Sequence, residues 1–203
     1  MPRSKELSEQ MRAQSRERII RAARQLFAER GYFKCKVSDI AQRAEMSQGN
    51  VYWYFRSKEE LLQAVLAQGF QALEQMTQEV AEAEGGGLEK LNDLLTRTWS
   101  LYDEQGDFNR ILMSLMAHGG PGFMLELGFD MSDLGRRYHT NLIRVFAQAR
   151  SEGLVTDVDP NMLVMLYFSL FNGLMITYAQ DWQTLPADVL QQAALRMLGV
   201  SAT

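Results

Sequence analysis

An all-α fold is predicted for the 203 residues on three observations. Apolar positions from 19 to 73 recur at helical spacing, no alternating strand pattern of useful length occurs, and glycine, proline and small capping residues fall where the periodic runs stop. With 46% hydrophobic residues the chain can bury a core without staples, and its one cysteine, Cys35, cannot form an intramolecular disulfide.

The first helix is expected over about 15–30, where Ile19, Ile20, Ala23, Leu26 and Phe27 form a buried stripe and Gly31 can take positive φ just past the end. Val37, Ile40, Ala41 and Ala44 mark a short second helix within 36–44. After a turn at Glu45 and Met46, Ser47 caps a third short helix containing SQGNVYWYF, residues 47–55. The run Ser57-Lys58-Glu59-Glu60 reads as a capping box that opens a fourth helix ending near Glu84, with Leu62, Leu66, Leu73, Met76 and Val80 inward.

Beyond the glycines at 85–87, helices are expected at about 88–104, 107–118, 130–152, 159–181 and 186–199. They are separated by a loop at His118-Gly119-Gly120-Pro121-Gly122, by Gly153, and by an Asp159 N-cap followed by Pro160 at the first helical position. This makes about nine helices: a three-helix N-terminal domain over 1–60 and a larger helical domain over 61–203.

Charge divides along the same line. Residues 1–60 carry 13 Lys/Arg against 8 Asp/Glu, net +5, whereas the remaining 143 carry 8 against 17, net −9. A basic module can approach a polyanion while an acidic body is repelled from one. The opening residues MPRSKELSEQMRAQSRER contain no apolar run suited to a secretory signal, so a cytoplasmic location is expected. Residues 161–180 carry no charge, but Asp157, Asp159 and Asp181 flank them and Ser169, Asn172, Gly173 and Thr177 interrupt them. A core or subunit-facing helix is therefore expected rather than a membrane span.

Three short helices with a tight turn between the second and third form a helix-turn-helix, which presents its third helix to the major groove. With Val51 at zero and about 100° per residue, Phe55 falls near 40° and Tyr54 near 300°, while Trp53 falls near 200° and Gly49 near 160°. Val51 and Phe55 thus point into the core, Tyr54 lies at its edge, and Trp53 points outward beside Gln48, Gly49, Asn50 and Tyr52. The amides of Gln48 and Asn50 can pair with adenine edges, the Tyr52 hydroxyl can reach a phosphate, and Lys58 at a helix N-terminus favours another.

The run GYFKCKVSDIAQRAEMSQGNVYWYFRSKEELL, residues 31–62, resembles the DNA-binding signature of the TetR family of transcriptional regulators. The resemblance implies an all-α homodimer with an N-terminal helix-turn-helix, bound to a palindromic double-stranded operator, and a variable helical domain that dimerises and holds a small-molecule effector. It implies base-facing roles for Gln48, Asn50 and Trp53, phosphate contacts for Tyr52 and Lys58, and an occasional base contact for Ser38. Three residues depart from the family pattern. Lys36 replaces the Thr or Ser that caps the second helix, a loss of about 1 kcal/mol for which a phosphate contact could compensate. Glu45 replaces the turn glycine and Asn50 a small residue of the reading helix.

The body is less explicit. Met113, Met116, Met124, Met131 and Met175 lie among Trp99, Tyr102, Phe108, Phe123, Phe129, Tyr138 and Phe171, a pattern that core packing alone also produces. An apolar effector cavity is expected between the helices at 88–150 and the one at 159–181, lined by Trp99, Tyr102, Met113, Met116, Phe123 and Phe171, with His118, His139 or Asn172 as polar contacts. Pairing of the last two helices through Phe168, Gly173, Ile176, Leu190 and Leu195 is expected to form the dimer.

Two histidines, no metal-ligand cluster, no G-x-S-x-G and no phosphate loop leave nothing to assemble a catalytic site, so no enzyme, metal or cofactor is expected. Cys35 between Lys34 and Lys36 raises a redox-sensor reading against the plainer one of a cysteine filling a small polar-apolar position before the second helix.

Overall fold

A computed structural model of the chain describes residues 2–130, 135–178 and 181–200. Among these are nine α-helices and no strand. The first four are α1 (Pro2–Arg30), α2 (Val37–Arg43), α3 (Gln48–Tyr54) and α4 (Lys58–Glu82). Then follow α5 (Gly87–Glu104), α6 (Gly106–Glu126), α7 (Arg136–Ser151), α8 (Pro160–Tyr178), a 3-10 turn at Trp182–Thr184, and α9 (Ala187–Met197). Met131 and the start of the helix expected from 130 lie outside the described residues, as do residues 179 and 180 at the expected end of α8.

Two helices differ from expectation. α1 begins at Pro2 instead of residue 15, because residues 3–14 are mostly strong helix formers without glycine, and proline is suited to the first helical position. Apolar periodicity starts only at Ile19, so the polar extension leaves no periodic trace. α6 does not stop at His118. It runs on to Glu126 across a single break at Gly120, whose φ of 64° and ψ of −160° are accessible to glycine and hardly to any other residue. Pro121 then follows at the start of the second segment, where its missing N–H removes no hydrogen bond.

The described chain forms two compact units: residues 1–68 with 110–129, and residues 69–109 with 130–203. α4 passes from the first to the second after Gln68, and α6 enters the first at Arg110. In the first unit Ile19, Ile20, Leu26 and Phe27 of α1 are buried together with Ile40, Val51, Phe55, Leu61 and Leu62. Ile111, Leu115 and Met124 of α6 are buried as well, and the Gln63 side chain donates to the Leu127 carbonyl at 2.9 Å. Each such apolar side chain stabilises the unit by about 1.5–3 kcal/mol relative to exposure.

In the second unit α7 packs against α5 and α8 through Leu91, Leu94 and Leu95, Leu142, Val145 and Phe146, and Leu163 and Val164. Hydroxyls buried in this core satisfy one another in sequence. Thr98 donates to the Leu94 carbonyl at 2.6 Å, so its oxygen accepts from Tyr167 at 2.6 Å, and Tyr167 in turn accepts from Tyr138. Burial pushes the Tyr167 hydroxyl up to about 12, so this chain of hydrogen bonds stays protonated and neutral.

Candidate nucleic-acid interface

α3 divides as the helical wheel requires. Val51 and Phe55 are 1% and 2% exposed, Tyr54 is half-buried, and Tyr52 and Trp53 are 46% and 63% exposed beside solvent-facing Gln48, Gly49 and Asn50. Ser47 caps the helix, its hydroxyl accepting from the Asn50 N–H at 3.1 Å. Among the described residues, nothing but the Ser47 hydroxyl comes within 4 Å of where a Gly49 side chain would begin, so that position is open to a ligand. Ser38 and Lys36 are also exposed, on α2 and at its N-cap.

The helix that carries α3 into place is closed by unusual residues at both ends. Lys36 makes no side-chain cap, as its chemistry requires; Asp39 supplies the other half, its carboxylate accepting from the Lys36 N–H at 3.2 Å. At the far end Glu45 takes φ 54°, with Glu45 N–H bonded to the Gln42 carbonyl at 3.1 Å and Met46 N–H to the Ala41 carbonyl at 2.9 Å. That is the helix-ending turn glycine normally makes. Arg43 and Glu29 form a forked ion pair at 2.9 and 3.0 Å that ties α2 to α1.

Lys58 stands at the N-terminus of α4, as expected, but its side chain already has partners there. Its ammonium donates to the carbonyls of Tyr32 at 3.0 Å and Cys35 at 3.2 Å and lies 4.2 Å from the Tyr32 ring centre. It thus holds the α1–α2 loop against the start of α4, a task sequence reasoning missed because the partners lie more than twenty residues away. Tyr32 adds a second tie, donating to Glu59 at 2.8 Å. The Cys35 thiol is buried and pushed up chiefly by that burial, with the Asp39 charge adding to it. That burial disfavours the thiolate, the reactive form of the side chain.

The residues expected around an effector fall in both units. Trp99, Tyr102, Phe171 and Asn172 come together in the second, around Trp182: the Trp99 and Trp182 rings stack at 4.4 Å, Tyr102 lies 5.6 Å from both Phe171 and Trp182, and its hydroxyl donates to Asn172 at 3.3 Å. The Trp182 indole N–H is buried without a partner among the described residues. His139 stacks on Phe168 at 6.4 Å in the same unit. Met113, Met116, His118 and Phe123 belong to the first unit, where His118 and Phe123 lie against Phe33 at 4.3 and 5.6 Å.

Of the expected dimer residues, Gly173 and Ile176 are exposed on α8, and Leu190 and Leu195 are half-buried on α9. Phe168 is half-buried as well, its ring 5.4 Å from Tyr138 and 5.6 Å from Tyr167. The outward apolar stripe includes Ile176 together with Met162, Met165 and Leu166 on α8, and Val189 and Met197 on α9. A shallow apolar cavity of about 280 Å³ lined by Leu95, Leu166, Leu170, Ala194, Met197 and others opens between α5, α8 and α9.

A short helix anchored by Val51 and Phe55, with a polar and aromatic face left open after a tight turn, defines a helix-turn-helix transcriptional regulator. Residues 19–65 match the model of the bacterial regulatory proteins of the tetR family. Over 154 residues the chain is 31% identical to the HTH-type transcriptional repressor KstR of Mycolicibacterium smegmatis, covering 75% of this chain and 71% of that one. It is 25% identical over 182 residues to the fatty acid metabolism regulator protein of Bacillus subtilis (strain 168), covering 89% of this chain and 91% of that one. The solved structure of FadR from Bacillus subtilis in complex with stearoyl-CoA shares the fold, with a TM-score of 0.75 and 20% identity over 92% of this chain and 98% of that one. The chain belongs to the TetR family of transcriptional regulators.

Proposed function

We propose that the chain is a homodimeric repressor that reads a palindromic operator with two copies of α3 and leaves it when a small, mainly apolar effector binds the second unit. The observation that carries this reading is the open face of α3, with Gln48, Asn50, Tyr52 and Trp53 solvent-facing on a helix fixed by its buried side. The dimer is supported by the outward apolar stripe on α8 and α9. Only 28% of the most apolar window of α8 is buried within one chain, and its length and mean hydropathy of 1.3 would suffice to cross a membrane. A second copy of the chain would cover that stripe in a cytoplasmic protein.

An acyl chain is the effector chemistry best supported. Regulators of fatty acid metabolism are among the relatives, one neighbour's structure holds stearoyl-CoA, and the aromatic cluster around Trp99, Tyr102 and Phe171 offers apolar surface. A charged headgroup finds less: Arg97 is already paired with Glu79 and Asp93 at 2.8 and 2.9 Å. Effector binding would bias a two-state equilibrium through α4, the helix both units share, and so change the spacing of the two reading helices.

The test is a mobility-shift assay on the DNA beside the chain's own gene. Binding is expected, with release on addition of stearoyl-CoA or stearate, and Gln48→Ala is expected to relax base preference locally by about 1–3 kcal/mol. Retention of full affinity and specificity in Gln48→Ala, Asn50→Ala and Trp53→Ala together would remove α3 from the interface.

A further inference from the structure

The first half of α1 is the part of the first unit that its core does not explain. Residues 6–18 are exposed except for half-buried Ser15, so the helix projects beyond the three-helix core. Residues 2–24 carry seven Lys/Arg and three Glu, net +4, which is most of the +5 of residues 1–60. Two of these cations point at α3 and its end. The Arg12 guanidinium lies 5.5 Å from the Trp53 ring centre, and Arg16, one turn on, lies 5.1 Å from the ring of Phe55. Both arginines are exposed, and among the described residues neither forms an ion pair.

Packing alone is a weak reason for this arrangement, since an exposed cation over a ring contributes only about 0.5–1 kcal/mol. Geometry supplies a stronger one. A helix with its side chains is about 10–12 Å across and the major groove about 12 Å wide, so a helix lying in the groove has phosphate walls directly at its flanks. Arg12, seated on the outward ring of the reading helix, would stand at such a wall with α3 in the groove. A guanidinium can stack on an indole and still direct its edge N–H groups at a phosphate, which an ammonium does less well.

We infer that Arg12 and Arg16 form a second part of the DNA interface, a phosphate clamp on α1 whose arginine heads are aligned by the aromatic rings of α3 and its cap. This rests on the DNA-binding reading and extends it to a helix that reading does not use. Trp53 then serves two ends, presenting one edge to the groove and its face to Arg12.

The clamp is tested by fluorescence-anisotropy titration of the full chain at several salt concentrations. Both the DNA beside its own gene and a short duplex of arbitrary sequence serve as probes, because binding to phosphates does not depend on sequence. Arg12→Gln with Arg16→Gln is expected to weaken binding on both duplexes and to lower the slope of log affinity against log salt by about two, near 0.9 for each phosphate no longer neutralised. Arg12→Lys with Arg16→Lys is expected to restore most of the slope, and the melting temperature of each variant reports folding separately. An unchanged slope in the folded glutamine variant overturns the clamp, even if affinity falls, since a purely structural role would weaken binding without releasing fewer counterions. A parent chain that binds neither duplex overturns the DNA-binding reading itself, an outcome distinct from the first.

Discussion

Glu45 holds the turn before the reading helix in a conformation that costs an L-residue about 1–2 kcal/mol. Glu45→Gly should therefore stabilise the chain by about 1 kcal/mol, seen in calorimetry as a rise in Tm of about 2–4 °C. No rise would mean that the turn is not strained. Glu59 and Tyr32 set a pH dependence. The Glu59 carboxyl is held below its ordinary range, first by its own backbone N–H and then by the Tyr32 hydroxyl. A carboxyl whose pKa is lower folded than unfolded contributes fully above the ordinary carboxylate range and loses its contribution as pH falls through the folded value. Tyr32→Phe should thus reduce stability at neutral pH more than in acid, measured as urea midpoints; an equal loss at both would place the effect outside this bond. At this scale the inward and outward sides of α3 were legible from spacing alone, because a step of about 100° per residue brings Val51 and Phe55 to one side and turns Trp53 to the opposite one. The task of Lys58 was not, since its partners are carbonyls of a loop that only the fold brings near.

Among the elements, α6 depends on one position. Gly120 turns the chain between its two segments with φ and ψ that only glycine adopts readily. Gly120→Ala is expected to cost about 1–3 kcal/mol, read as a lower urea midpoint, while Gly122→Ala, with no neighbour crowding it and no positive φ, should cost much less. Equal costs at the two sites would deny Gly120 its role as the joint. The glycines at 119, 120 and 122 announced an interruption in the sequence but not its kind, because a loop and a one-residue break between helices share the same composition. The early start of α1 was hidden for the opposite reason. Propensity without an apolar stripe favours a helix but leaves no mark of burial.

At the scale of the whole molecule, the outward stripe on α8 and α9 should decide whether the chain is one copy or two. Ile176→Glu places a charge at its exposed end, where one chain alone has room for it. The parent chain is expected to run as a dimer in light scattering and the variant as a monomer with weakened operator binding. A parent chain that is monomeric at micromolar concentration would overturn the dimer. The apolar character of this helix was legible from residues 161–180, but which side faces its own core was not: Met175 is buried while Met162 and Met165 took the surface, and Phe168 lies half-buried between, against Tyr138 and Tyr167.

The placement of the three tryptophans makes the molecule its own reporter. Trp53 stands in water on the reading helix, whereas Trp182 is buried and stacked on half-buried Trp99 in the other unit. Their intrinsic fluorescence therefore separates by colour and by access to a soluble quencher: red-shifted, quenchable light from Trp53 and blue-shifted, protected light from the pair. Nucleic acid laid over α3 should shield the first signal and leave the second alone, while a guest entering the aromatic cluster should change the second first. In Trp53→Phe the remaining light reports only on the body, so comparison with the parent chain assigns each signal to its own unit without a label.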